Sequence, residues 1–358
     1  APGGPVVLQL GGAGAAAVRA AVSKASPWSY DAINLNCGCP SARVGAGAFG
    51  AVLMRDAGRV AQICAAMREA AGAAPVTVKC RTGVVGTEAE LRAGGEDPAS
   101  TLQALCDFVG TVSEQSGVQR FVVHARQAVL AGLSPKANRR VPALAHDVVV
   151  GLARAFPALS IVLNGGVSDV QEAARILRDH AGVLDGVMCG RAVEARPWDF
   201  AVVDSVLFRD PRGDPAVSRR QVLLEYAARA ADMEERLQEG PGGALGAEAD
   251  PRGRVAFRRT LLKHPRNLFC GEPGGRRYRA ALAQAEQSAA RAVADGVPVA
   301  EVLQSAMAAL PTEVLDAGPG QRAQDLGMRL PEKRRWLRAA IRAAGGRRAE
   351  RPRCLRGP

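Results

Sequence analysis

Aromatic side chains are scarce in this sequence, 4% of 358 residues against a hydrophobic fraction of 47%, so the core is expected to be aliphatic. Long apolar runs are missing as well. No stretch approaches the roughly 20 apolar residues a membrane-spanning helix needs, which excludes such a helix from the sequence given, and nothing in its opening residues resembles a signal peptide. The eight cysteines (37, 39, 64, 80, 106, 189, 270 and 354) lack the spacing of a disulfide framework. Several fall inside apolar patterns and read as free thiols in a reducing compartment, either the cytoplasm or the matrix of a plastid or other organelle. Acidic residues are in deficit: 35 Asp and Glu face 47 Lys and Arg, giving a net charge of +12 and a pI near 9.9. That balance points to an anionic partner such as nucleic acid or a phosphorylated ligand. An Ala/Gly/Arg-rich composition set by coding bias would give the same excess.

What is present is a repeated unit. Short apolar runs at Pro5 to Leu10, Ala32 to Asn36, Val76 to Cys80, Phe121 to His124, Ser160 to Asn164 and Asp185 to Cys189 are each followed by glycine or a polar cluster. Helical patterns intervene at Ala15 to Val22, Gly58 to Ala71, Thr101 to Ser113, Asp147 to Ala155 and Val170 to His180. Strand-helix alternation with continuous apolar strands predicts a parallel sheet covered by helices, an α/β fold. Polar residues recur at the same end of every strand: Gln9, Asn36, Lys79, His124, Asn164 and the pair Gly190-Arg191. In a TIM (βα)8-type barrel that end is the functional rim, so six strands are expected to share one site. Gly165-Gly166 and Gly190-Arg191 close the last two strands, where barrels often bind phosphate on backbone N–H groups and a helix N-terminus. If these are strands 7 and 8, two strands are expected to be absent before Ala1, and the chain has about six βα units.

The stretch Ile33 to Met54 runs from a strand into a Cys37-Gly38-Cys39-Pro40 corner, then through Gly45, Gly47 and Gly50 into an apolar run that reads as a helix. A thiol delivered to a loop at a strand end suits chemistry. Two cysteines one residue apart equally suit burial or a metal site, and the local sequence leaves both readings open.

After Pro197 the pattern turns helical, with periodic segments at Arg219 to Glu239, Arg254 to Phe269, Arg276 to Ala294 and Ala300 to Leu310. The organisation read from this is a barrel over 1–205, an all-α helical domain over 206–310 and a basic, disordered tail over 311–358. Arg258, Arg259, Lys263, His264, Arg266, Arg276, Arg277 and Arg279, with Phe269 and Tyr278 interleaved, concentrate positive charge in the helical domain. Arg276 and Arg279 share a helix face from which they could grip phosphates or a base edge. Solvated surface charge is the alternative for each arginine singly.

Taken in order, LQLGG (8–12), INLNCGCPSARV and GAFGAVLM (33–54), VTVKCRTG (76–83), FVVHARQAVLAGLSPKANR (121–139), LNGGVSD (163–169) and DGVMCGRA (185–192) resemble the tRNA-dihydrouridine synthase family, most closely its bacterial A-type branch. LLKHPRNLFCGEPGGRRYR (261–279) extends the resemblance into the helical domain. It implies an FMN-binding barrel followed by a helical tRNA-binding domain, with NADPH as reductant and a D-loop uridine, around position 20 or 20a, as substrate. Hydride added at C6 of the uracil ring would leave enolate character at C5, which needs an acid. An unperturbed cysteine, with a pKa of about 8.5, can supply that proton at neutral pH. By motif that acid is Cys39, and Cys37 is a packing residue.

Carried over position by position, Gln9, Lys79 and His124 are expected to contact the flavin, and Asn164, Gly165, Gly166, Gly190 and Arg191 to hold its phosphate. Asn36, Lys136, Arg139, Arg276 and Arg279 are expected to contact tRNA. No metal, membrane or defined oligomer is called for. Family members begin with two further strands, so the expectation is a sequence that starts within its barrel. Val85 to Ala99 reads as an insertion. Two other functions fit part of this pattern: a non-catalytic tRNA-binding remnant, and an FMN-barrel oxidoreductase acting on a small enone or a dihydroorotate-like substrate.

Overall fold

Side chains alternate across a β-strand, and here the two faces differ in chemistry. The computed structural model describes residues 4–41, 49–94, 97–210, 212–238, 251–291 and 297–321. The chain divides into two compact units, Ala1–Ala192 and Val193–Pro358. The first contains strands β1 (Val7–Leu10), β2 (Ala32–Cys37), β3 (Val76–Arg81), β4 (Val84–Val85), β5 (Arg120–His124), β6 (Ala128–Val129), β7 (Ser160–Asn164) and β8 (Gly186–Met188). Six of them form one parallel sheet in the order β1-β2-β3-β5-β7-β8, and β4 pairs with β6 beside it. Every strand of the large sheet therefore lies next to the strand that precedes it in that sheet's chain order, the winding of a barrel wall. The (βα) unit read from the sequence is the unit that folds.

One face carries Ile33, Leu35 and Cys37 of β2, Val76, Val78 and Cys80 of β3, Phe121 and Val123 of β5, and Ile161 and Leu163 of β7, all buried. Helices Ala15–Ala25, Ala57–Ala71, Pro98–Ser116 and His146–Ala155 pack one against the next in that order. Asp56 and Asp97 begin the second and third by accepting N–H bonds from Arg59 (2.9 Å) and Ser100 (2.8 Å), the capping that orphaned first-turn donors require. The other face carries the polar side chains Gln9, Asn34, Asn36, Thr77, Lys79, Arg81, His124 and Asn164, with Val122 and Val162 among them.

Some local expectations are corrected. The run after the Cys corner is a 3₁₀ helix, Gly50–Arg55, and Gly45 and Gly47 lie outside the described residues. Within the segment read as an insertion, Val84–Val85 pairs in parallel with Ala128–Val129 and Glu88–Arg92 is helical.

The second unit is helical: Arg219–Gln238, Pro251–Lys263, Gly275–Arg291, Val299–Met307 and Thr312–Asp316. Its core gathers Leu223, Leu262, Phe269, Tyr278, Leu282, Leu303, Val314 and Leu315. Val314 and Leu315 lie beyond residue 310, so the helical packing continues past that point; residues 322–358, and with them most of the basic tail, lie outside the described residues. Phe269 and Tyr278, read as aromatics interleaved in a basic surface, are instead fully buried and meet edge to face at 4.9 Å. The chain crosses itself tightly here. A Cβ on Gly275 would lie 2.1 Å from the Phe269 carbonyl oxygen, so no larger residue fits.

At the centre of this unit Arg219 pairs with Glu272 at 3.0 Å, with side chains 3% and 7% exposed. The guanidinium also lies 4.8 Å from the Trp198 ring centre and bonds the Val314 carbonyl. An ion pair this dry holds together only because each charge has the other.

Candidate active site

The polar residues toward the C-terminal ends of the strands form two hydrogen-bonded groups. Gln9 donates to Asn34 Oδ1 (2.8 Å) and Asn34 donates to Thr77 Oγ1 (2.8 Å). Asn36 donates to Gln9 Oε1 (3.0 Å), while its own Oδ1 accepts from the backbone N–H groups of Gly38 (3.0 Å) and Cys39 (3.1 Å). That carboxamide shapes the corner. It turns the chain out of β2 so that Cys37 stays on the buried side and Cys39 stands half-buried at the rim, its sulfur 3.6 Å from Ser41 Oγ. Burial pushes the Cys37 thiol well up, so the two cysteines of the corner are chemically distinct. Asn36, expected at tRNA, has both ends of its amide engaged within the protein here.

Across the sheet Lys79 Nζ donates to Asn164 Oδ1 (3.1 Å), and Asn164 donates to the Met188 carbonyl (2.8 Å), joining β3, β7 and β8. Desolvation lowers the Lys79 pKa. His124 is 8% exposed, its Nδ1 has no hydrogen-bond partner among the described residues, and its pKa is pushed down to about 2, first by burial and then by Arg81, Lys79, Arg126 and Arg191. The imidazole is therefore neutral. In the ligand-free protein the unfolded chain takes up a proton at His124 near pH 6.5 and the folded one does not. Stability should therefore fall as pH drops below about 6.5, with this site contributing ~1.4 kcal/mol per unit. Urea midpoints across that range should show a shallower fall in His124→Gln than in the parent, and equal slopes would remove His124 as the cause.

Gly165 and Gly166 both have positive φ, 106° and 82°, and a Cβ on Gly166 would sit 2.5 Å from a Leu144 methyl. The turn exposes backbone in a conformation that side-chain-bearing residues avoid. The helix Val170–Asp179 that follows this turn is capped by its own carboxylates. Asp169 caps it by accepting from Glu172 N–H (2.8 Å), and Glu172 accepts from Ser168 N–H (2.7 Å). The Ser-Asp-x-x-Glu spacing is the capping signature that could have shown this. Gly190 has nothing within 4 Å of where a Cβ would lie, and Arg191 is exposed.

Sequence reading missed Arg81 and Arg126 as members of this rim. Lys79 and Arg81 at i, i+2 share one strand face, and that is the signal that was available. Arg81 is 5% exposed, with its pKa lowered to about 10 by burial first and then by Arg139. Arg126 bonds the Pro142 carbonyl and leaves its buried Nε unpaired. Lys79, Arg81, Arg126, Arg139 and Arg191 thus bring five cations to one rim, and among the described residues no ion pair joins any of them to a carboxylate. Lys136 is exposed on the same loop as Arg139.

In the helical unit Arg276 is exposed and Arg279 half-buried with one guanidinium nitrogen unpaired. Arg258 and Arg266 of the basic cluster are instead tied to Glu234 and Glu286. Among the described residues no group of three or more His, Cys, Asp or Glu could hold a metal ion, and no helix is long and apolar enough to cross a membrane.

Residues 2–242 match the family model described as dihydrouridine synthase. Among curated proteins, the tRNA-dihydrouridine(20/20a) synthase of Yersinia pestis is 39% identical over 280 residues, which are 78% of this chain and 70% of that protein. The protein of the same description from Vibrio vulnificus is 36% identical over 310 residues, covering 87% and 82% respectively. That from Xylella fastidiosa is 40% identical over 283 residues, covering 79% and 72%.

Proposed function

The chain belongs to the dihydrouridine synthase family, and on that premise we propose that it reduces a D-loop uridine of tRNA, at position 20 or 20a, to 5,6-dihydrouridine, with FMN as its flavin and NADPH as reductant. The observation that carries this reading is the rim of five cations lacking a carboxylate partner, set around a neutral buried histidine and a half-buried cysteine. A site of that kind suits two anions, a flavin phosphate and a nucleic-acid strand. The residues fit FMN. Among the described residues His124 Nδ1 is buried and unpartnered, Gly190 has open space beside its backbone, and Arg191 supplies charge at the strand ends.

Bound there, FMN supplies the hydride that adds to C6 of the uracil. Lys79, held by Asn164, would supply the cation that favours a reduced flavin, one of the few means by which a protein tunes such a cofactor. Gln9 and His124 would bind the flavin ring, and Asn164, Gly165, Gly166, Gly190 and Arg191 would hold its phosphate. Cys39 donates its proton to C5 from the corner that Asn36 shapes. The target uridine must be turned out of the tRNA to reach this site. Lys136 and Arg139 grip the strand at the rim, and Arg276 and Arg279 grip tRNA from the helical unit.

Incubating the FMN-loaded protein with NADPH and an unmodified tRNA transcript should convert one D-loop uridine to dihydrouridine, read by mass after nuclease digestion. A transcript left unchanged under flavin turnover would reject the reading. The grip has its own test. Arg276→Ala with Arg279→Ala should weaken tRNA binding and lower the slope of log affinity against log salt by about 1 for each phosphate that is no longer neutralised. Filter binding over a salt series measures it, and an unchanged slope would take both residues out of the interface.

A further inference from the structure

Arg81 is a buried cation whose guanidinium, among the described residues, bonds only carbonyl oxygens. Its Nε donates to the Gly38 carbonyl (3.1 Å), and its Nη1 donates to the carbonyls of Gln127 (3.3 Å) and Asn138 (3.1 Å). The first belongs to the corner that carries Cys39, and the last to the 3₁₀ turn Ala137–Arg139 on the loop that carries Lys136. Asn138 is fully buried and makes that loop rigid in turn. Its carboxamide accepts from Val129 N–H (2.8 Å) and donates to the carbonyls of Val129 (2.8 Å) and Leu133 (3.3 Å). The corner and the loop are about a hundred residues apart in sequence, and one planar guanidinium spans them.

We propose that Arg81 is the positioning residue of the Cys39 acid: it locks the thiol-bearing corner to the loop bearing Lys136 and Arg139, so that one group registers both the proton donor and the tRNA strand. The proposal rests on the reading of Cys39 as the acid. Only a fork-shaped cation can do this, because a lysine ammonium cannot span carbonyls on two separate segments with the same fixed geometry. The charge also matters, since Arg81 is bonded to the carbonyl of Gly38, the residue next to Cys39. A proton leaving Cys39 for C5 would leave a thiolate near a fixed cation. No oxidant or further reactant is needed, because the flavin reaction already proposed supplies the electron pair.

The test separates the two half-reactions of the FMN-loaded protein. In Arg81→Met, oxidation of the reduced flavin by tRNA should slow about a hundredfold, the scale of a misplaced acid, and by a much larger factor than flavin reduction by NADPH. Arg81→Lys, which keeps the charge and loses the span, should fall between that variant and the parent and serves alone if the methionine variant does not fold. Hydrogen exchange gives a readout free of activity: amides at Cys39 and at Asn138 to Val141 should exchange faster together in Arg81→Lys, with β7 unchanged. If Arg81→Lys matches the parent in both half-reactions and in exchange, or if both half-reactions slow equally, the proposal is overturned. The parallel variant Cys39→Ala keeps the outcomes apart. Full tRNA-dependent oxidation in it rejects Cys39 as the acid, whereas the exchange result still reports on the clamp.

Discussion

Cys39→Ala should lose about 10²- to 10⁴-fold in dihydrouridine formation while keeping its flavin, the range expected when a positioned general acid is removed. The corner does not depend on the sulfur. Asn36 Oδ1 holds the backbone N–H groups of residues 38 and 39 whatever the side chain, and Ala51 N–H still bonds the carbonyl of residue 39 at 2.9 Å. The deficit should therefore lie in the step that needs the proton. Flavin reduction by NADPH, followed by absorbance, should run at the parent rate, and single-turnover oxidation by tRNA should not. Cys37→Ala is the control, because its thiol is fully buried and held high by desolvation. Parent rates of tRNA-dependent oxidation in Cys39→Ala would end the acid assignment.

Glu272→Gln should cost the helical unit about 3 kcal/mol or more, because removing one partner of a buried ion pair leaves the other charge desolvated and uncompensated. Arg219 would keep the Val314 carbonyl and the face of Trp198, which places the loss toward the lower end of that range. The double variant Arg219→Met with Glu272→Leu should recover most of it, since apolar side chains of similar volume carry no desolvation penalty. Urea unfolding followed by a probe in the helical unit measures all three proteins. If the single variant unfolds with the parent, the pair is a bystander.

Much of the barrel was legible because the physics that makes it is local. Runs such as Val76 to Cys80 and Ser160 to Asn164 are apolar on the side that meets helices, and a polar residue closes each one at the rim. The observed strands Val76–Arg81 and Ser160–Asn164 differ from those readings by one residue or none. The Cys corner was legible as a motif, and its geometry follows from the single carboxamide of Asn36. What was not legible needed partners far away in sequence. Arg81 in VTVKCRTG looks like any strand-end charge until Gly38 and Asn138 arrive beside it. Glu272 lies in a Gly/Pro loop whose sequence gives no hint that Arg219, 53 residues earlier, will be its counter-ion. Phe269 and Tyr278 misled for the opposite reason: flanking arginines suggested a surface, and only the packing of the helical core shows them inside. A face that is apolar over one residue in four cannot be told from a charged surface by composition alone.

The strand order β1-β2-β3-β5-β7-β8 has a bearing on how the chain is made. Each strand docks on a neighbour that left the ribosome before it, and the intervening helix packs on the helix before it, so the sheet can grow in the direction of synthesis. The loops that must close are then one βα unit long, and closure entropy rises only slowly with length. Arg81 breaks this pattern, because its carbonyl acceptors lie both behind it at Gly38 and ahead of it at Asn138. Emerging chains stalled between residues 81 and 138 would hold a desolvating guanidinium without its full set of acceptors. The clamp between Gly38 and Asn138 should accordingly become resistant to protease during translation only once Asn138 has left the ribosome.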